Sequence, residues 1–352
     1  MNTQNKKHQL RNWLLALLAI LVVGILVFWP TDYFIESPGE AVPVSQFIKS
    51  KNKKPDNFYL VTVSVTSRPA SILQYLWSYT KPYDERVPSK ELLGGQTNAQ
   101  YNELQDWYME TSQQNAIYYA AKKAGKKHSL QYLGVYVMEV QKNSSFKHKL
   151  QIGDTVLGAN GHRFHSTEEM MSYLRKQKIG SKITISVLRG KQKKKFTGKV
   201  VKVKDTNKPG IGIQLVEHVE VKTKPKLTIN AGEIGGPSAG LMFTLESYEV
   251  FSKQNLSHGH KIAGTGTISP TGKVGIIGGV DKKVVAASRE GAEVFFAPTD
   301  SSSVKKSETN YAVAKRTAKK IHTKMKIVPV DTFDDAINYL KAHYYLTSFL
   351  KL

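Results

Sequence analysis

The longest unbroken apolar run lies near the amino terminus, where Trp13 to Trp29 reads WLLALLAILVVGILVFW without a charged residue. At 1.5 Å per residue a helix of this length spans about 26 Å, close to the ~30 Å hydrocarbon core of a bilayer. Trp13, Phe28, Trp29 and Tyr33 suit the two interfaces and make up the difference. Lys6, Lys7 and Arg11 come before the run, which places residues 1–12 in the cytoplasm and everything after Pro30 outside. A cleaved signal peptide is the competing reading. The run ends in Phe-Trp-Pro, however, and not in a small-x-small cleavage site, so residues 13–30 are predicted to be an uncleaved, single-pass signal anchor in the cell membrane.

Three blocks follow. Residues 37–125 hold an alternating β-branched stretch at Phe58–Thr66, an apolar-aromatic stretch at Ile72–Tyr79, and a helical stretch from Thr97 to Lys123 stopped by Gly125. Ser112, Ala116 and Ala120 share one side of that helix at four-residue spacing. Residues 130–204 read as a small β-rich module, with strands at Gly134–Val140 and Ile183–Leu188 and turns at Gly153-Asp154 and Asn160-Gly161. Ser166 starts a helix there, with Glu169 completing a capping box, and the helix runs through Leu174. Residues 210–345 alternate strands at Lys226–Ile229, Val294–Ala297 and Ile327–Val330 with helices at Ala239–Phe251 and Val280–Glu290. Thr332 and Asp335 cap a closing helix that runs through Leu340.

Composition narrows the function classes. A chain of 352 residues, 40% hydrophobic and 22% charged, is folded and long enough for more than one module. It has no cysteine, which excludes disulfides, thiolate zinc sites and a cysteine nucleophile. The net charge of +23 suits an anionic membrane or wall surface. Its lysines fall in short runs, Lys191–Lys195 (KQKKK), which reads as a solvated turn between strands, and Lys315–Lys320. No zinc-finger spacing or aromatic RNA-binding motif accompanies them, so nucleic acid is not an expected partner.

Two segments carry candidate chemistry. Gly235-Gly236-Pro237-Ser238-Ala239-Gly240 stands immediately before an apolar helix. Glycines let backbone approach a ligand closely, and a helix start presents unpaired N–H groups to a developing anion. The Ser238 hydroxyl could therefore attack a carbonyl there, although a turn-and-cap serine has the same pattern. Downstream, Thr265 to Val280 (TGTISPTGKVGIIGGV) leads into Asp281-Lys282-Lys283. On the helix that follows, Lys283 shares a face with Val280, Ala286 and Ala287, while Lys282 is turned about 100° away and is expected to reach water. A lysine normally titrates near 10.4 and accepts no proton at neutral pH, but desolvation lowers that value by up to ~3–5 units. The plainer alternative for Lys283 is a stem laid over the core. Thr267 stands where a phosphate loop ending in Gly272-Lys273 needs a glycine, and the ten histidines form no His-Glu-x-x-His. ATP, metals and other cofactors are therefore not expected.

Taken together, the two segments resemble the proteolytic domain of Lon-type Ser–Lys peptidases. Gly236 to Gly240 matches the family's Gly-Pro-Ser-Ala-Gly. Thr265-Gly-Thr-Ile, Gly272-Lys-Val and Ile277-Gly-Gly match its second motif, with Lys283 four residues past the last glycine and 45 residues after Ser238. The resemblance implies an α/β (α+β) fold of the ribosomal S5 domain 2-like class for residues 210–345, completed by residues 37–125. It also implies Ser238 as nucleophile and Lys283 as base, with Gly236, Ala239 and Thr265 supporting the oxyanion and the lysine. One departure is Gly235, where many ATP-dependent members carry an acid.

The middle block resembles a PDZ domain at Leu133-Gly134-Val135, the Gly-Asp and Asn-Gly turns and the final strand. This implies that Leu133, Gly134, Val135, Tyr136 and Val137 form a peptide-facing loop and sheet edge, with a structural spacer as the alternative. The whole arrangement resembles the membrane-anchored Lon-like peptidases of Gram-positive bacteria, a group that includes a pheromone-processing protease. The expected activity is ATP-independent endoproteolysis of extracellular peptides or flexible protein segments. A catalytically silent, membrane-tethered PDZ adaptor is the rival reading. The expected partners are a peptide or unfolded protein and the membrane; a homo-oligomer stays open.

Overall fold

The computed structural model describes residues 3–50, 57–203, 207–300, 302 and 305–345. Helix α1 (Thr3–Phe28) leads the chain, and its segment His8–Phe28, with mean hydropathy 2.4, is long and apolar enough to cross a membrane. The helix ends as the chain reaches Pro30, which lacks an amide hydrogen and pairs with Ser71. After it come strand β1 (Tyr33–Pro43), strand β2 (Phe58–Val65), helix α2 (Ile72–Ser78), strand β3 (Glu85–Pro88) and helix α3 (Asn98–Lys123). Thr97 and Gln100 cap α3 reciprocally, and Gly125 takes a left-handed φ of 64° just past its end.

The inserted module comprises β4 (Lys127–Val140), β5 (Thr155–Ala159), α4 (Thr167–Arg175), β6 (Lys182–Arg189), β7 (Gln192–Lys199) and β8 (Ile213–Lys224). The chain then forms α5 (Gly240–Ser252), β9 (Ile262–Gly264), α6 (Val280–Arg289), β10 (Val294–Pro298), α7 (Asn310–Lys320), β11 (Lys326–Val330) and α8 (Phe333–Leu340).

One six-stranded mixed sheet, in the order β11-β10-β9-β2-β1-β3, joins the two flanks of the insertion. The seam is the parallel pairing of Ile262–Gly264 with Phe58–Leu60, so residues before and after the module build a single domain. Helix α5 is buried on nearly every side between this sheet and α3, with Leu241, Met242, Phe243 and Leu245 all in the core. Ser112, Ala116 and Ala120 of α3 are buried against it. Helices α6 and α7 cover the opposite face through Val284, Ala287 and Ala314, which gives three layers.

The module has its own sheet, β8-β4-β5-β6-β7, and its own core around Val135, Val137, Phe146, Ile183 and Ile185. Asp154, fully buried, accepts two hydrogen bonds of 2.7 Å from the Arg189 guanidinium. Asp154→Ala would remove the acceptor of both the Arg189 guanidinium and the Gln151 amide and should cost about 2–4 kcal/mol. A lowered melting temperature of the module, read by circular dichroism, checks this.

Four expectations need correction. Leu133 to Val137 is neither a loop nor an open edge: it lies inside β4, with β8 on one side and Val135 and Tyr136 paired to Val156 and Thr155 on the other. The unforeseen strand β8 takes the edge position. Tyr136 instead stacks on Trp107 of α3 at 3.9 Å and glues the module to the main domain. The lysine run 191–195 is mostly strand, since β7 pairs with β6 along its whole length; an edge strand with solvent-facing lysines resists sheet-to-sheet association. The cap of α4 is half a box, because Glu169 turns its carboxylate to the His165 amide and to His162. Of Lys226–Ile229 only Thr228–Ile229 is strand, paired with Ile48–Lys49.

Candidate active site

The loop that carries Ser238 is held from behind. Gly236 adopts φ 85°, a conformation suited to glycine, and its amide donates to the Gln105 carbonyl at 2.9 Å. The Ser112 hydroxyl donates to the Pro237 carbonyl at 3.0 Å, and the Gly266 amide donates to the Ser238 carbonyl at 2.9 Å. Gly240 allows close packing, because a Cβ there would come within 2.9 Å of both Ile268 and the Ser112 hydroxyl. Helix α5 therefore starts pressed against α3 and the Thr267–Ile268 strand, with Ser238 just ahead of it.

Lys283 arrives from the other side of the sheet. Gly279, at φ 65°, turns the chain into α6, and the Lys283 side chain runs inward with the residue only 3% exposed. Its Nζ lies 2.5 Å from Ser238 Oγ and 3.2 Å from Thr265 Oγ1. The Thr265 hydroxyl donates to the Ser238 carbonyl at 3.1 Å, so it spans both partners. Burial pushes the Lys283 ammonium down to about 7. A large part of the population is then uncharged near neutral pH, which is the form able to take a proton from a hydroxyl.

Lys282 does not reach water. Its side chain is 2% exposed and pairs with Glu85 at 2.5 Å, with Glu36 and Asp281 at 3.8 Å. Burial works against its charge, but Glu85, Asp281 and Glu36 outweigh burial and hold it above the usual lysine range. Glu36 and Glu85 are directly opposed on β1 and β3, a like-charge pair that destabilises a sheet unless a cation lies between them. Lys282→Ala should thus loosen this sheet edge by about 2–3 kcal/mol and keep the Ser238–Lys283 contact, which thermal melting alongside a peptidase assay can separate.

A cleft of about 1130 Å³ opens over the pair, walled by β1, β2, residues 233–239 and Ile276–Gly279. Strand β2 pairs with β9 only as far as Leu60. Among the described residues, Val61–Val65 has no strand partner on that side, and this stretch lines the cleft. Of the expected supporting residues, Thr265 and Ala239 are at the site, whereas the Gly236 amide is committed to Gln105 and cannot serve an oxyanion. The amides of Ser238 and Ala239 have no protein acceptor among the described residues. Leu133 to Val137 lie outside the cleft lining.

The sequence does not single out Gln105, and it marks Ser112 only as sharing one side of its helix with Ala116 and Ala120. The small-residue spacing of α3 is the signal that finds Ser112; nothing local marks Gln105. At Gly235, a Cβ would come within 2.9 Å of Gln105 Cβ, so a larger side chain has no room there. Gly272-Lys273 forms the turn of a small hairpin, with Tyr119 occupying the space a Cβ would need.

Comparison with known proteins finds two matching families. Residues 111–200 match the PDZ domain family, and residues 182–342 match the Lon protease (S16) C-terminal proteolytic domain. A stretch of 105 residues is 36% identical to the Lon protease of Metamycoplasma arthritidis (strain 158L3-1) and 35% identical to that of Malacoplasma penetrans (strain HF-2). That stretch is 30% of this chain but only 11% and 12% of those proteins, so the chain spans about a tenth of the relatives' length. The PDZ domain of an SdrC-like protein from Listeria monocytogenes is 32% identical, covering 24% of this chain and 90% of that one, with a TM-score of 0.23. Its counterpart from Listeria innocua is 28% identical, covering 24% and 96%, also with a TM-score of 0.23. The chain thus carries a PDZ domain and a Lon-type C-terminal proteolytic domain.

Proposed function

We propose that the chain is a membrane-anchored, ATP-independent serine endopeptidase that cuts peptides or flexible protein segments on the outer face of the membrane. The observation that carries this reading is the 2.5 Å approach of a buried lysine, titrating near 7, to Ser238 Oγ. Ser238 Oγ bonds to the substrate carbonyl carbon while its proton passes to Lys283 Nζ. The Ser238 and Ala239 amides, at the start of α5, receive the oxyanion. When the C–N bond breaks, Lys283 returns the proton to the departing amine. Water then attacks the ester with Lys283 again as base, releasing the acid and restoring the serine. Thr265 keeps the lysine aimed by bonding both it and the Ser238 carbonyl.

An extended substrate would pair along Val61–Val65, which lines the same cleft as Ser238. A path of this kind admits unstructured chain and excludes folded domains, in keeping with a sequence that has no phosphate-binding loop. Secreted signalling peptides, pheromones among them, are substrates of the right size. The PDZ domain serves as a second hold on the substrate, raising its local concentration. The test is to incubate the full chain in detergent with a peptide library and to identify products by mass spectrometry beside Ser238→Ala. New termini that appear only with the serine present support the reading. Cleavage by both proteins would overturn it, and binding without cleavage by either would leave a tethered adaptor.

A further inference from the structure

Helix α2 is built inside out. Its start is firmly capped, Ser71 and Gln74 bonding each other's backbone amides at 3.3 and 2.9 Å. A surface helix normally turns its apolar stripe to the core. Here Leu73, Leu76 and Trp77, spaced i, i+3, i+4, point outward with exposures of 43%, 54% and 60%, and the buried residue of the helix is Ser78. Tyr79 extends the apolar surface at 61% exposure.

This face adjoins the end of α1. The Ile72 amide donates to the Trp29 carbonyl at 3.1 Å, the Thr31 amide donates to the Ala70 carbonyl at 2.8 Å, and α2 packs beside the last turn of α1. Its first residue therefore sits at the level of Trp29. The neighbours have the chemistry of a membrane boundary. Tyr75 packs on Tyr33 and Tyr79 with centroids 5.1 and 5.6 Å away, and the Arg86 guanidinium lies 4.0 Å over the Tyr79 ring. Amphipathic rings with a nearby cation are what the headgroup layer favours.

We propose that α2 is a second membrane contact, lying between headgroups and acyl chains with Leu73, Leu76 and Trp77 immersed, so that the protease domain is docked on the bilayer and does not swing from α1. This rests on α1 spanning a bilayer. The chain has no cysteine, so single cysteines can be labelled cleanly in the full protein. Nitroxide labels at Leu73→Cys and Leu76→Cys, with Ile20→Cys and Lys193→Cys as references, are read in nanodiscs of phosphatidylglycerol and phosphatidylethanolamine by their collisions with oxygen and with a water-soluble nickel complex.

The expected result is oxygen-rich, nickel-poor collision at both α2 labels, as at Ile20 and opposite to Lys193. Water-like behaviour at α2 with Ile20 in lipid overturns the docking and leaves the anchor standing. Water-like behaviour at Ile20 overturns the spanning reading and the docking with it. Dipolar broadening between Leu76 labels that disappears on dilution with unlabelled chain assigns the face to a second copy, and overturns the lipid contact.

Discussion

Ser238→Ala should lower peptide hydrolysis by at least about ten-thousand-fold, with peptide affinity changed by less than about threefold. The size of the loss follows from the geometry. Among the described residues, the hydroxyl is the group placed 2.5 Å from the buried amine, and the loop that presents it is fixed by Gln105, Ser112 and Gly266, so no neighbouring hydroxyl takes its position. Thr265, the nearest, is already bonded to the Ser238 carbonyl and is fully buried. Affinity persists because the edge of β2 and the PDZ domain do not depend on the serine. Product formation by mass spectrometry and peptide binding by fluorescence anisotropy, measured on one preparation, check both halves. A loss of binding equal to the loss of rate would mean the alanine protein is misfolded around the loop.

Lys283→Met should abolish activity to a similar degree and at the same time make the protein more stable. In the unfolded chain this lysine titrates near its ordinary 10.5; in the folded protein it does so at about 7. Between those values the unfolded state holds a proton that the folded state lacks, so stability rises with pH across the window. Below about pH 7 both states are charged and the full cost of burying the ammonium is present. The drop from 10.5 to about 7 corresponds to about 4 kcal/mol, an upper figure for what methionine recovers at pH 7. Thermal melting should show Lys283→Met several degrees above the parent at pH 7 and the gap closing toward pH 10. Activity of the parent follows the same group from the other side: kcat/KM should climb with pH through about 7 and level off above it. A profile flat from pH 5 to 9 would show that Lys283 is not the base.

How much of this is readable in the sequence depends on distance along the chain. Local signals carry well: Thr97 with Gln100 and Thr332 with Asp335 mark helix starts, and Asn160-Gly161 marks a turn, with φ values of 50° and 84°. The approach of Ser238 to Lys283 is legible only through the resemblance to Lon-type peptidases; taken alone, Ser238 reads as a turn-and-cap serine and Lys283 as a stem laid over the core. What is not legible comes from partners far away. Lys282 looks like a surface lysine on its own helix, but its carboxylates sit on β1 and β3, with Glu85 lying 197 residues earlier. Leu133 to Val137 read as an edge because nothing nearby reveals that β8, beginning at Ile213, will cover it. Helix α2 stayed unassigned because the order of its apolar positions says only that one face is greasy, not which way that face is turned.

On the proposed function, strand β1 limits how far from the lipid a bond can be cut. It starts at Tyr33, just past α1, and lines the cleft from Glu36 to Gly39, six to nine residues beyond Pro30. At about 3.3 Å per residue, that is a path of at most roughly 20–30 Å along the strand. With α1 across a bilayer, the scissile bond must come within this distance. A chain tethered to the same membrane would be held near that zone, whereas a chain free in the medium would enter it only by diffusion. Cleavage rate should accordingly fall when a cleavable sequence is moved outward on a membrane-tethered spacer, although the sequence itself is unchanged.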